Sequence, residues 1–222
     1  MKRSILTLIL LSLAVGLQAQ SAWGINLKSY DPKAQFNRNV DHAAFGLSVS
    51  YLKGYEDSRW SWGGEFGVAM YSSDHYDIEF RGRTLEIMEE DCFFTLHGFV
   101  RYDMIDIPSF KVYSEARIGL TTFFSTTDAV EENTGFDGAF DFHGSAFNTG
   151  AGIGVMVNPG ALFSKDKIRG NWWIDLAVNA HSGSSARYRM HPEGDGVFSL
   201  DDGQHRSMTH YMGYRLGFVF GL

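Results

Sequence analysis

The one local cluster in this 222-residue chain with the residue types of a hydrolase is His181-Ser182-Gly183-Ser184-Ser185. A serine nucleophile needs an imidazole within hydrogen-bonding reach to take its proton, and a carboxylate to orient that imidazole. His181 and Ser182 are neighbours, and neighbouring residues in a strand point to opposite faces. A strand that ends in a Ser/Gly loop accounts for the cluster, so no catalytic residue is assigned. His181, Ser182 and Ser184 are the residues to test for activity. Metal chemistry has as little support. His143, His181, His191, His205 and His210 lie among acidic residues but never at His-x-x-x-His spacing. The acidic clusters Glu89-Glu90-Asp91, Glu131-Glu132 and Asp201-Asp202 lack the spacing of a calcium loop. No metal and no cofactor are expected.

What remains is a set of charges of both signs: Glu65, Arg101, Lys111, Glu115, Arg117, Asp175 and Arg215. Each falls on the polar side of a segment whose apolar residues recur at every second position, the period of a strand. About eight such segments run along the chain. Trp23, Ile25 and Leu27 alternate with Gly24, Asn26 and Lys28; Phe45, Leu47, Val49 and Tyr51 with Gly46, Ser48 and Ser50. Trp60, Trp62, Phe66, Val68 and Met70 oppose Ser61, Gly63, Glu65 and Gly67, and Phe94, Leu96, Val100 and Tyr102 oppose Thr95, His97 and Arg101. The fifth segment sets Phe110, Val112, Ala116, Ile118 and Leu120 against Lys111, Tyr113, Glu115, Arg117 and Gly119. The sixth sets Phe147, Ala151, Ile153 and Val155 against Gly150, Gly152 and Gly154, and the seventh Trp172, Ile174, Leu176 and Val178 against Trp173, Asp175 and Asn179. The last begins near Ser207 and carries Tyr214, Leu216, Phe218, Phe220 and Leu222 against Arg215, Gly217 and Gly221.

The connections alternate in length. Residues 54–59, 103–109 and 158–170 are the short side; 31–41, 72–91, 125–145 and 183–206 are longer and richer in charge and glycine. Within 72–91 the alternation of Ile78, Phe80, Leu85 and Ile87 around Arg81-Gly82-Arg83 predicts that the third and fourth strands continue as a hairpin. Aromatics gather near strand ends: Tyr51, Trp60, Trp62, Tyr102, Phe110 and Trp172 toward the turns, Tyr71, Phe94, Phe123 and Phe147 toward the loops, as in two membrane-interface girdles. The fold expected is all-β, a closed antiparallel up-and-down transmembrane barrel with short periplasmic turns and long extracellular loops. A soluble eight-stranded calyx shares the alternation but would bury the apolar face. Rows of glycine on the polar face favour a crowded interior over a solvated surface.

At the start, Lys2 and Arg3 precede an apolar run from Ile5 to Leu17 and then Gln18-Ala19-Gln20, the layout of an export signal cleaved after Ala19. The domain reading is therefore a signal peptide over 1–19 and a barrel over 20–222. The apolar run is shorter than the roughly 20 residues of a spanning helix. Cys92 is the only cysteine, which excludes an intramolecular disulfide. A formal net charge of −7 argues against nucleic-acid binding, because phosphates would meet no neutralising surface.

Taken together, the signal, the eight alternating segments, the two lengths of connection and the aromatic last strand resemble the small OmpA/OmpX-type outer-membrane barrels and the outer membrane protein beta-barrel domain families. The resemblance covers the whole mature chain in layout, without a diagnostic peptide; Leu222 stands where Phe is usual. It implies an outer-membrane location in a Gram-negative bacterium, contact with lipid and lipopolysaccharide, and insertion by the barrel-assembly machinery. It also implies a monomer. The function expected is non-enzymatic, structural or adhesive, through loops that bind an external ligand. Two alternatives follow from the same resemblance: a lipid-A-modifying deacylase or acyltransferase, and a narrow channel or transport accessory. The His-x-Ser-Asn pattern associated with the deacylases is absent around His181, and an eight-stranded interior is just wide enough for side chains to fill it.

Overall fold

Apolar and β-branched residues at every second position, with polar or small residues between, favour strands long enough to pair on both sides. The computed structural model describes residues 20–39, 42–54, 58–80, 83–130, 137–163, 172–189 and 204–221. The signal segment 1–19 and Leu222 lie outside them. The strands are β1 (Gln20–Lys33), β2 (Ala44–Gly54), β3 (Trp60–Phe80), β4 (Arg83–Ile107), β5 (Phe110–Val130), β6 (Asp137–Val157) and β7 (Trp172–Gly183). The short β8 (Ser185–Arg189) and β9 (Gln204–Met208) precede β10 (His210–Phe220). Two short helices, α1 (Ala34–Asn39) and α2 (Pro159–Phe163), sit in connections.

Eight strands form one closed antiparallel barrel in the order β1-β10-β7-β6-β5-β4-β3-β2, and β8 with β9 makes a separate ribbon. Closure is a full ladder between β1 and β10, from Trp23 opposite Phe220 to Lys33 opposite His210. The outward face carries Ile25 at 59 % exposure, Leu47 at 54 %, Leu96 at 60 % and Phe218 at 45 %, while Asn26, Glu65, Arg117 and Asp175 are buried. This inverts a soluble protein, in which buried charges are rare and large apolar patches on the surface are small. A closed sheet leaves no strand edge within hydrocarbon, which is the condition for spanning a bilayer with strands. The soluble-calyx alternative, with apolar side chains inward, is thereby overturned.

The lumen is packed in three tiers. At the turn end Ala22, Leu52, Phe99, Tyr113, Met156, Trp173 and Val219 form an apolar plug. At the loop end Tyr30, Phe36, Tyr71, Phe93, Phe123 and Tyr211 form a second, aromatic plug. The charges lie between. Phe36 reaches the upper plug because α1 folds back after Ala34, whose φ of 55° lies in the left-handed region that a residue with a side chain seldom occupies. Its ring meets Phe123 edge-on at 5.9 Å. Close packing of the lower tier depends on Gly154, whose missing side chain is where the Tyr113 ring lies.

Four expectations need correction. Tyr71 and Phe123 do not belong to an outer girdle: they are 7 % and 1 % exposed inside the lumen. Strand parity explains both, since Met70 and Thr122 take the outward positions beside them. Segments 72–91 and 125–145 are mostly ladder, not loop. β3 and β4 stay paired from Ser72 opposite Asp91 to Phe80 opposite Arg83, and β5 and β6 to Val130 opposite Asp137. The expected hairpin over 77–87 is part of this extension. The last barrel strand begins at His210, because Ser207 pairs with Ala186 in the separate ribbon. In the turn at 158–170, Asn158 Oδ1 accepts a hydrogen bond from the Ala161 N–H at 3.0 Å and caps α2; residues 164–171 lie outside the described residues.

Candidate functional site

Alternation places the charges on inward positions of β1, β3, β4, β5, β7 and β10, and the barrel curvature turns them toward one another. Glu65 of β3 accepts both guanidinium N–H groups of Arg117 from β5, at 3.0 and 2.9 Å. It also accepts from Lys28 of β1, and from Arg215 of β10 at 3.5 Å. Glu115 accepts from Arg117 Nε at 2.8 Å, Arg101 Nη2 at 3.2 Å and Arg215 Nη2 at 3.3 Å. Asp175 of β7 accepts from the Tyr113 hydroxyl at 2.5 Å and pairs with Arg215 Nε at 3.2 Å. The Arg101 guanidinium lies 3.7 Å over the Tyr113 ring. Bidentate and shared contacts of this kind satisfy buried charges that would otherwise carry a large desolvation penalty.

Six of the seven charges singled out in the sequence therefore meet in one network. Lys111 does not: it stands at the turn end with Asp103 and Asp106, at 3.5 and 3.4 Å. Lys28 belongs to the network although the sequence reading left it out, and its place on the polar side of the first segment was the available signal. Spanning the lumen from β1, β3, β4, β5, β7 and β10, these side chains fill the middle tier rather than line a passage. The outward aromatics Trp60, Trp62 and Trp172 are exposed, and Tyr51, Tyr102 and Phe110 partly so, at the turn end of the wall. Among the closing-strand residues, Tyr214, Leu216, Phe218 and Phe220 all face outward.

The hydrolase test residues are separated. His181 is inward and 6 % exposed; its ring stacks on Tyr211 at 4.5 Å and lies 5.3 Å from His97. Ser182 faces outward, and Ser184 Oγ accepts the Phe147 backbone N–H at 2.9 Å. Neither serine is hydrogen-bonded to an imidazole among the described residues, so the cluster lacks the nucleophile–base contact that acyl transfer requires. His181→Ala is expected to leave the lipid A mass spectrum of cells unchanged relative to the wild-type protein. A profile that departs from wild type and matches that of cells lacking the chain would restore the enzymatic alternative. Among the described residues no three His, Cys, Asp or Glu gather as a metal cluster. His191, Glu131-Glu132 and Asp201-Asp202 lie outside the described residues.

A second feature stands above the barrel. β2 is laddered to β3 only as far as Phe45 opposite Met70, and β7 to β6 only as far as Gly183 opposite Asn148. β3, β4, β5 and β6 continue past both as a four-stranded sheet. Residues 72–80 alone make about 30 Å of strand. At its β6 side the Ser184 N–H donates to the Phe147 carbonyl at 2.7 Å, and from there β8 passes over the face of the sheet, with the Arg187 carbonyl where Gly144 has no side chain. On the other side, among the described residues, no strand is laddered to β3 beyond Met70.

These features fix the architecture. The chain folds as a small outer-membrane β-barrel. No protein-family model matches it, and no curated protein matches it in sequence. The barrel is similar to a major outer membrane protein from Thermus thermophilus, with a TM-score of 0.50 at 11 % identity over 91 % of this chain and 99 % of that one. It is also similar to Ail, the attachment invasion locus protein of Yersinia pestis, with a TM-score of 0.49 at 13 % identity over 93 % of this chain and 100 % of that one. For the N-terminal barrel domain of OprF from Pseudomonas aeruginosa the TM-score is 0.40 at 14 % identity, over 91 % and 100 % of the two chains.

Proposed function

We propose that this barrel resides in the outer membrane of a Gram-negative bacterium as a plugged, non-enzymatic scaffold, and that its protruding sheet presents a surface for binding or adhesion outside the cell. The observation that carries this reading is the four-stranded sheet of β3, β4, β5 and β6, which continues past the last paired residues of β2 and β7 and stands above the plugged lumen. Lipid and lipopolysaccharide surround the apolar belt, the barrel-assembly machinery inserts the chain, and the protein acts as a monomer.

The channel alternative is disfavoured by the filled middle tier and by the two aromatic and apolar plugs. Purified protein in planar bilayers is expected to give no stepwise conductance, and steps that respond to Arg117→Gln would revive that alternative. The orientation is tested separately. Cysteine at Ser73, in the protruding β3, is expected to react with a membrane-impermeant maleimide on intact cells, whereas cysteine at Ser109, in the tight β4–β5 turn, is expected to react only after lysis. The reverse pattern would place the sheet in the periplasm and remove a surface role.

A further inference from the structure

Above the lipid belt the strands β7 and β10 run on into the β8–β9 ribbon, and the period of two carries through the join. On β10, Tyr214 is exposed, Met212 half-buried and Tyr211 buried; further back Thr209 and Ser207 are buried while Met208 and Arg206 are exposed. The buried Thr209 fastens the join, its hydroxyl donating to the Ser184 carbonyl at 3.3 Å. On β8, Ala186 is buried and Ser185 and Arg187 are exposed. The outer face of the ribbon is therefore in phase with the lipid-facing side of β10. Its foot is the pair Ser185 and Met208. That foot lies at the level of the girdle residue Phe147, whose N–H is held by the neighbouring Ser184 Oγ. The next pair outward on the same face is Arg187 opposite Arg206. Two residues of strand put it about 7 Å farther from the belt, at the depth of lipid headgroups.

Like charges directly opposite each other on one face of a strand pair repel. Among the described residues no carboxylate pairs with Arg187 or Arg206. Arg206 Nε donates to Ser185 Oγ at 3.1 Å, which leaves the two terminal nitrogens of its fork for another acceptor. Residues 185–189 and 204–208 hold three arginines and no Asp or Glu, in a chain whose net charge is −7. Below the pair the same face is apolar, with Met208 55 % and Tyr214 44 % exposed. An anion between the two guanidinium groups turns their repulsion into attraction. Two forks side by side match the several terminal oxygens of a phosphomonoester, and the apolar face beneath matches acyl chains.

We propose that Arg187 and Arg206 hold the phosphomonoester headgroup of a membrane lipid whose acyl chains lie along Met208, Met212 and Tyr214. The inference rests on the orientation proposed above, which puts this end of the barrel at the outer leaflet; labelling at Ser73 and Ser109 tests that orientation independently. The belt wets any acyl chain, whereas this site fixes one lipid by its headgroup. Because β8 crosses the face of the protruding sheet at Gly144, a lipid held there tethers that sheet to the membrane surface.

The full-length protein in nanodiscs of phosphatidylcholine provides the test, with a minor fraction of either phosphatidic acid, a phosphomonoester, or phosphatidylglycerol, a diester of single charge. Native mass spectrometry counts the lipids that stay bound after release. Phosphatidic acid is expected to be retained about tenfold over its share of the bilayer, and phosphatidylglycerol about threefold or less. The double variant Arg187→Gln, Arg206→Gln is expected to lose this enrichment. It should stay folded in pure phosphatidylcholine, where it sheds only a repulsion, and heat-modifiable gel mobility checks this. Arg187→Lys, Arg206→Lys keeps both charges without the forks and is expected to keep about a third of the enrichment. Undiminished enrichment in the glutamine variant would put the lipid elsewhere and overturn the proposal. Equal retention of the two anionic lipids, or full retention by the lysine variant, would overturn the assignment of a phosphomonoester held by guanidinium forks. Displacement of phosphatidic acid by millimolar inorganic phosphate would assign the site to a free anion and overturn the lipid.

Discussion

Glu65→Gln is expected to lower the unfolding free energy of the barrel in lipid vesicles by roughly 3–5 kcal/mol, the usual effect of removing one member of a buried ion network. Glu65 is 1 % exposed and is the acceptor for three cations at once: Lys28, Arg117 and Arg215. An amide of the same shape keeps the volume but cannot balance them. The network already holds four cations, Lys28, Arg101, Arg117 and Arg215, against the three carboxylates Glu65, Glu115 and Asp175. Neutralising Glu65 leaves two carboxylates for four cations in a space without room for their hydration. Urea titration followed by tryptophan fluorescence measures the loss. A shift below about 1 kcal/mol would mean that the charges are solvated through the lumen, and the plugged-scaffold reading would fail with it. The double variant Glu65→Leu, Arg117→Met separates charge imbalance from lost packing. It removes one charge of each sign and is expected to unfold at higher urea than Glu65→Gln.

The second large effect lies on the outer wall. Leu216→Arg is expected to destabilise the folded barrel by about 2–4 kcal/mol in a bilayer, whereas Trp60→Arg costs about 0–1 kcal/mol. Leu216 lies midway along β10, flanked by Leu27 and Leu176 on the neighbouring strands, with Phe218 and Tyr214 above and below on the same face. Trp60 opens β3 at the turn end beside Tyr102, where a long cationic side chain reaches the headgroups. Leu216 is 40 % exposed, so in a water-soluble protein arginine there would be nearly neutral. The comparison therefore reads the solvent of the outer wall directly. Equal, small effects at both positions would mean that the wall faces water.

Much of this was legible from the residues. A strand has a period of two, so once one side chain is assigned to lipid the parity of every other residue in that strand follows. That is why the inward placement of Glu65, Arg117, Asp175 and Arg215 and the outward placement of Leu216 and Phe218 can be read from spacing alone. Parity also contained two facts that composition obscured. Tyr71 and Phe123 sit on inward positions, but their aromatic character pointed to a membrane girdle. Lys28 sits on an inward position, but it is the lone charge beside Gly24 and Asn26, whereas Lys111, Glu115 and Arg117 crowd the fifth segment.

Parity carries no information about distance along the barrel axis or about which strands lie side by side. Lys111 and Glu115 share a face of β5, yet only Glu115 reaches the level at which Glu65 and Arg215 arrive from other strands; Lys111 stops at Asp103 and Asp106. His97 and His181, on β4 and β7, become neighbours only when the sheet closes. The limits of the strands escaped the sequence for a similar reason. Polar, glycine-containing stretches such as 137–145, and the charged stretch 72–80, look like loops because they bury no continuous apolar face. They are held as strands by the ladder that continues from the membrane-spanning wall below. Residue types and their period determined which face each side chain takes and the kind of solvent on either side. Register and closure, which depend on contacts between residues far apart in the chain, such as Trp23 opposite Phe220 where β1 meets β10 and Glu65 with Arg215 in the lumen, decided which charges balance and where the lumen is plugged.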